Sequence, residues 1–322
     1  MATRAVPDPF ETTNHAYRVT FSETQSGKFK GGAGCKLFEG TATSIGDKPG
    51  KELEVFIKEG STVDPDLVRE LEVLRDCCKE EPGNHRDPFL PLYIGQRDRE
   101  ASSYVVTLRG PRDLASHFGD DPKKPWVKCT PQDPRFVLQV TVQLLDALER
   151  LHRKAWVHCD VQPRNILIKK PSPGQHLQVT LIDFGACLKV GEAGRPRMWE
   201  YSAPEQWLEG PVDARTDVFG AAGVMLYLLS GHAPFPCASE EECKKQATSI
   251  SKHFDTVVPT AFQDVSASMT HDLYHNSFTD DTGTLRGIRH VLWMALRPTP
   301  ERIDAATMKR WLESILQSRS FQ

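Results

Sequence analysis

The sequence predicts an α+β chain of two lobes, a small β-rich lobe carrying one helix followed by a larger helical lobe. Three observations predict it. Five short segments rich in β-formers, with one helical pattern among them, all lie before Arg109. Nearly every long apolar stretch beyond Pro211 has helical length and spacing. The chain has 322 residues, 39% of them apolar, enough for one sizeable core or two modest ones.

Residues 1–16 read as a polar tail punctuated by Pro7 and Pro9. Tyr17–Phe21 and Cys35–Thr43 are expected to be the first two strands, with the glycine-rich Gly31-Gly32-Ala33-Gly34 between them. Leu53–Lys58 is a third strand pattern, broken at Gly60. Asp64-Pro65-Asp66 then supplies a cap and a first-turn proline for a helix running to about Cys78, with Leu67, Leu71 and Leu74 at helical spacing. Leu90–Gly95 and Ser103–Leu108 complete an expected five-stranded sheet, and Gly110-Pro111 ends the first lobe.

In the second lobe 117–134 reads as a surface connection, and Phe136–Leu151 as a helix. Val218–Ser230, apolar on every side, suits a helix buried all round. Ser239–Lys252, Leu285–Leu296 and Ala305–Gln317 are the remaining helix candidates. The expected organisation is a tail over 1–16, a first lobe over 17–109 and a second over 110–318, with no internal repeat.

A formal net charge of −3 supplies no global attraction to nucleic acid or to an anionic membrane. No stretch is apolar for long enough to span a bilayer, and the polar amino terminus does not read as a secretory signal, so a cytoplasmic or other intracellular location is expected. Eight scattered cysteines show no CxxC pair and no spacing suited to zinc, and read as reduced thiols.

The most specific chemistry lies in His158-Cys159-Asp160-Val161-Gln162-Pro163-Arg164-Asn165, followed by Asp183-Phe184-Gly185 and Ala203-Pro204-Glu205. Asp160 can orient and deprotonate a hydroxyl, while Asn165 and Asp183 offer oxygen ligands for magnesium beside a triphosphate. Upstream, Val55-Phe56-Ile57-Lys58 ends a strand on a lysine, and Glu70 shares a helix face with Leu74. In order and spacing these motifs resemble the eukaryotic-type protein kinase superfamily, firmly beyond Leu148 and loosely before Lys58.

That resemblance implies a bilobal protein-kinase-like fold, with the first lobe binding nucleotide and the second carrying catalysis and the substrate platform. It implies an enzyme using ATP and Mg2+ to phosphorylate protein substrates, on Ser/Thr rather than Tyr hydroxyls. Asp160, Arg164 and Lys58 would be catalytic, and Asn165 and Asp183 would hold the metal. Lys58, Glu70, Gly32 and Gly34 would bind nucleotide, although only Gly32 keeps the family's glycine register when Leu37 takes the valine position. Glu205 would pair with Arg302, and Asp217 would anchor the catalytic loop. His158 is expected to be structural rather than a base.

Three departures matter. Cys159 stands where many of these kinases carry an arginine that receives an activation-segment phosphate, and Ala186–Glu200 contains no Ser, Thr or Tyr. Activity without phosphorylation of that segment, or control by a regulatory protein partner, is therefore expected. Gln162 replaces the catalytic-loop lysine, and Met198 replaces the threonine that contacts it. Arg164 sits where kinases selecting basic substrates place glutamate. Cys159 and Cys187 are also candidates for a thiol pair.

Two other readings stay open: a pseudokinase scaffold that binds protein partners, and a small-molecule phosphotransferase of the aminoglycoside-kinase type. The Ala203-Pro204-Glu205 platform with Asp217 and Arg302 disfavours the second. The retained Lys58, Glu70, Asp160, Asn165 and Asp183 disfavour the first. Residues 239–283 match no motif.

Overall fold

A computed structural model describes residues 8–13, 16–21, 29–30, 35–45, 52–78, 89–99, 101–119, 123, 128–169, 176–235, 237–254 and 282–318. Two compact units emerge, one of residues 1–111 with Asp183–Gly185, the other of 112–182 and 186–322.

The first unit is an antiparallel sheet with one helix. Its strands are β1 (Phe10–Glu11), β2 (Tyr17–Phe21), β3 (Phe29–Lys30), β4 (Lys36–Ser44), β5 (Leu53–Ser61), β6 (Tyr93–Arg99) and β7 (Ser102–Leu108). They are ordered β1-β2-β4-β5-β7-β6, with β3 on β4. Val19, Val55, Ile57 and Val106 point to one face and bury a core against Phe10 and Tyr104. The helix α1 (Pro65–Cys77) begins where predicted, capped by the Asp64 carboxylate, which accepts from Asp66 N–H.

Two expectations need correction here. The stretch 1–16 is not wholly a tail, because Phe10–Glu11 pairs with β2 and Phe10 stacks beside Phe21 and Tyr104, with centroids 5.7 and 5.3 Å away. A two-residue strand next to Pro9 is too short to leave a periodic signal. The strand expected at Leu90–Gly95 instead occupies Tyr93–Arg99, where Gln96-Arg97-Asp98-Arg99 hide it, charged residues being common on terminal strands. Beyond that end, Thr13 N–H donates to the Gln96 carbonyl at 2.7 Å, so the sheet curls towards its own first strand. Gly95 permits this approach, since a Cβ there would lie 2.7 Å from the Thr12 side chain.

The second unit is mostly helical. It contains α2 (Leu114–Phe118), α3 (Pro134–His152), α4 (Pro204–Trp207), α5 (Ala214–Ser230), α6 (240–254), α7 (Thr282–Ala295) and α8 (Ala305–Leu316). Short antiparallel pairs join β8 (Trp156–Val157) to β11 (Leu188–Lys189) and β9 (Ile166–Lys169) to β10 (Gln178–Leu181). The helix α5 is the unit's centre, buried from Thr216 to Ser230 and closed by Gly231 in the left-handed conformation, φ 79°. It starts four residues before Val218 because Asp213 caps it, a turn of polar residues that an apolar pattern misses.

Cys237 and Cys243 are joined by a disulfide at the entry to α6, so the expectation of eight reduced thiols is corrected at that pair. No described helix is long and apolar enough to cross a membrane.

Candidate active site

In the first unit Lys58 lies at the centre of the sheet on β5, opposite Leu37 of β4 and Val105 of β7. The alternation of β5 buries Val55 and Ile57 on one face and sends Lys58 to the other, toward α1. There its ammonium donates to Glu70 at 2.6 Å and to Asp183 at 3.0 Å. Glu70 is the inward glutamate, whereas Glu72 is half exposed and pairs with Arg69. Burial, the largest influence on Lys58, would pull its ammonium down, but the Glu70 and Asp183 carboxylates outweigh it and hold the group above its usual range. Burial likewise lifts the Glu70 carboxyl, with Lys58 pulling it back. Lys58 therefore stays cationic and fixed between two anions, an arrangement able to meet a phosphate oxygen.

Asp183 has a left-handed backbone, φ 65°, a conformation that aspartate tolerates better than most residues. Gly185 is needed close by, since a Cβ there would be 3.3 Å from the Asp66 backbone oxygen. Gly32 and Gly34 lie outside the described residues.

The second unit holds the loop carrying Asp160. Asp160 accepts from Gln162 Nε2 at 2.8 and 2.9 Å and from Asn165 Nδ2 at 2.8 Å. Asn165 Nδ2 also donates to the Asp160 carbonyl at 2.9 Å, so the atom Asn165 offers outward is its own side-chain oxygen. Arg164, on the same one-turn helix Pro163–Asn165, is solvent-exposed.

The loop is anchored from below by Asp217 of α5, which accepts from the His158 and Cys159 N–H groups at 2.8 and 2.9 Å and from His152 at 2.8 Å. A carboxylate only 1% exposed tolerates burial because these donors replace water. A close approach of helix to loop is also required. A Cβ on Gly220 would sit 2.8 Å from Val161 Cβ. His158 is fully buried and accepts from Asp160 N–H at Nδ1 while donating from Nε2 to the Ile182 carbonyl at 3.1 Å, which makes it a strut of the loop.

Cys159 adopts φ 62° and packs with Val157, Val212 and Leu188 in a small apolar cluster. Burial foremost, then the charges of Asp217 and Asp160, push its thiol far above the ordinary range. Cys187 is buried as well.

Glu205, on α4, receives Arg302 Nη1 and Nη2 at 2.7 and 3.1 Å and the Thr216 hydroxyl at 2.9 Å. Its neighbour Gln206 was not singled out by motif reading. The Gln206 amide donates to the Cys159 carbonyl at 2.8 Å and the Arg195 carbonyl at 3.1 Å, while its oxygen accepts from Ala203 N–H at 3.0 Å. One buried side chain thus ties the catalytic loop to the segment 186–200 and to the platform, and only its place beside Glu205 marked it in the sequence.

The family model for the protein kinase domain matches residues 127–303, more than half of the chain. Similar curated proteins include the serine/threonine-protein kinase PkaA of Streptomyces coelicolor, 33% identical over 232 residues, which cover 68% of this chain and 39% of PkaA. The serine/threonine-protein kinase Pkn1 of Myxococcus xanthus is 33% identical over 224 residues, covering 61% of this chain and 31% of Pkn1. PknL of Mycobacterium tuberculosis is 38% identical over 112 residues, or 33% of this chain and 27% of PknL. The chain therefore spans well under half the length of these relatives. With a β-rich unit, a helical unit and the motif residues seated as described, the chain belongs to the protein kinase domain family.

Proposed function

We propose that this chain transfers the γ-phosphoryl group of ATP to serine or threonine hydroxyls of protein substrates. The observation that carries the reading is the Lys58 ammonium fixed between Glu70 and Asp183 at 2.6 and 3.0 Å. A permanently charged donor in that position aligns phosphates. Asp160, held by two amide side chains, accepts the proton of the attacking hydroxyl, and the guanidinium of exposed Arg164 is proposed to reach the transferring phosphoryl group.

The donor set fits magnesium. Asn165 presents a carbonyl oxygen and Asp183 a carboxylate, both hard ligands of the kind this cation takes. Magnesium, when bound, supplies charge neutralisation for the phosphates. Gly32 and Gly34 are proposed to cover the nucleotide.

Activation-segment phosphorylation is not needed in this reading. Where a receptor arginine would stand, Cys159 belongs to an apolar cluster. The segment is held instead by Gln206, by the paired Gly191 N–H to Val212 carbonyl and Val212 N–H to Glu192 carbonyl bonds at 2.9 and 3.0 Å, and by Gly194 N–H to the Gly210 carbonyl at 2.9 Å. Control falls to a protein partner.

The test incubates the chain with ATP, Mg2+ and a panel of proteins, before and after phosphatase treatment. Phosphoserine and phosphothreonine should form in both samples, and Lys58→Met or Asp183→Ala should lower turnover at least about 100-fold. Protein binding without turnover would establish the scaffold reading. Phosphate carried only by small molecules would establish the other alternative, and loss of turnover after phosphatase would remove the phosphorylation-independent part.

A further inference from the structure

We infer that Gln162 is a positioning residue for Asp160, its neutral amide clamping both carboxylate oxygens where the catalytic loop of other family members carries a cation. The inference rests on the phosphoryl-transfer reading above for its kinetic consequence, but not for its geometry. Nε2 of Gln162 stands 2.8 Å from Asp160 Oδ1 and 2.9 Å from Oδ2, a forked contact with both oxygens. Asn165 adds a third amide contact to Oδ2 at 2.8 Å. These three contacts come from uncharged side-chain amides.

The second observation is what Gln162 forgoes. The residue is 5% exposed, and its Oε1 is buried with no hydrogen-bond partner among the described residues. A buried carbonyl oxygen left unpaired is destabilising, and a side chain chosen for fold stability would satisfy both ends of its amide. Turning the amide over would direct Oε1 at the Asp160 carboxylate and replace attraction with repulsion. Asp160 therefore dictates the orientation of Gln162, and the unpaired oxygen is the consequence.

The experiment compares the parent chain with Gln162→Leu and Gln162→Lys, and follows the Gln162 side-chain amide protons by NMR in the parent chain and in Asp160→Ala. The amide protons should be displaced by the Asp160 contact in the parent chain and return to the position of a free amide in Asp160→Ala. Gln162→Leu should leave the melting temperature unchanged or higher and lower kcat about 100-fold with KM for ATP unchanged, and Gln162→Lys, which restores a donor, should recover kcat. An amide signal that does not move in Asp160→Ala overturns the inference, as does a drop in melting temperature that tracks the loss of kcat without recovery in Gln162→Lys. Absence of turnover in the parent chain would sink the functional reading alone, because the amide signal and the melting temperatures still decide the role of Gln162.

Discussion

Removing Arg302 tests how the platform helix is held. The Arg302 side chain is fully buried and reaches four acceptor contacts: Glu205 at 2.7 and 3.1 Å, the Arg215 carbonyl at 2.9 Å and the Arg297 carbonyl at 2.7 Å. Its guanidinium also lies over the Phe219 ring, 4.9 Å from the centroid. Arg302→Met keeps much of the volume but leaves Glu205 with Thr216 as its remaining side-chain donor among those described. An uncompensated buried charge of this kind costs about 3 to 5 kcal/mol. For a unit of this size that is a fall in melting temperature of about 6 to 20 °C. Urea denaturation of the single variants and of the Glu205→Gln, Arg302→Met double variant measures it, and the double variant should lose clearly less than the sum of the singles. The pH dependence has a definite sign. Burial, the largest influence, would raise the Glu205 carboxyl, but Arg302 outweighs it and the net displacement is below 4.5. The pair's contribution is thus complete above about pH 4.5 and is lost as pH falls through the lower folded-state value, so parent and Glu205→Gln converge in acid. A cost for Arg302→Met under about 1 kcal/mol, the range of exposed pairs, or strict additivity in the double variant, would refute the argument.

Gly220→Ala should push α5 from the catalytic loop, since the new methyl meets Val161 Cβ at 2.8 Å and its carbonyl oxygen at 3.0 Å. Urea titration should register about 1 to 3 kcal/mol of destabilisation with a parallel loss of turnover, and an unaltered variant would show the contact to be soft. Thiol labelling at pH 8 tests the buried cysteines. Burial foremost, then Asp64, against the opposing charge of Lys58, pushes the Cys35 thiol up to about 11, and burial raises Cys159 further still. Iodoacetamide followed by mass spectrometry should therefore modify half-buried Cys77 well before Cys35 or Cys159, and early labelling of Cys159 would contradict the packing described.

Much of the architecture was legible because long elements carry strong periodic signals. The Asp64-Pro65 cap, the helix over Phe136–Leu151 and the apolar run of α5 all have counterparts in the structure within a few residues. Several of the short elements were not legible. Phe10–Glu11 and Leu114–Phe118 lack the length for a period, and the charges of Arg97, Asp98 and Arg99 conceal the outer half of β6. The Cys237–Cys243 pair left no trace either, because spacing alone does not report Cβ direction.

The order and types of residues were enough to point to the chemistry: a lysine ending a strand, a glutamate one helix later, and an aspartate and asparagine five positions apart before a second aspartate. These side chains have few other reasons to recur together, so composition and order suffice to nominate them. Which partner each one takes was decided by the tertiary structure alone. That Lys58 stands between Glu70 and Asp183, that Asp217 collects three donors, and that Gln162 turns its amide toward Asp160 and leaves its own oxygen unpaired are outcomes of packing. Hydrogen bonds are short-ranged and directional, and the residues that complete them lie up to 125 positions apart, so their geometry exists only once the chain has folded.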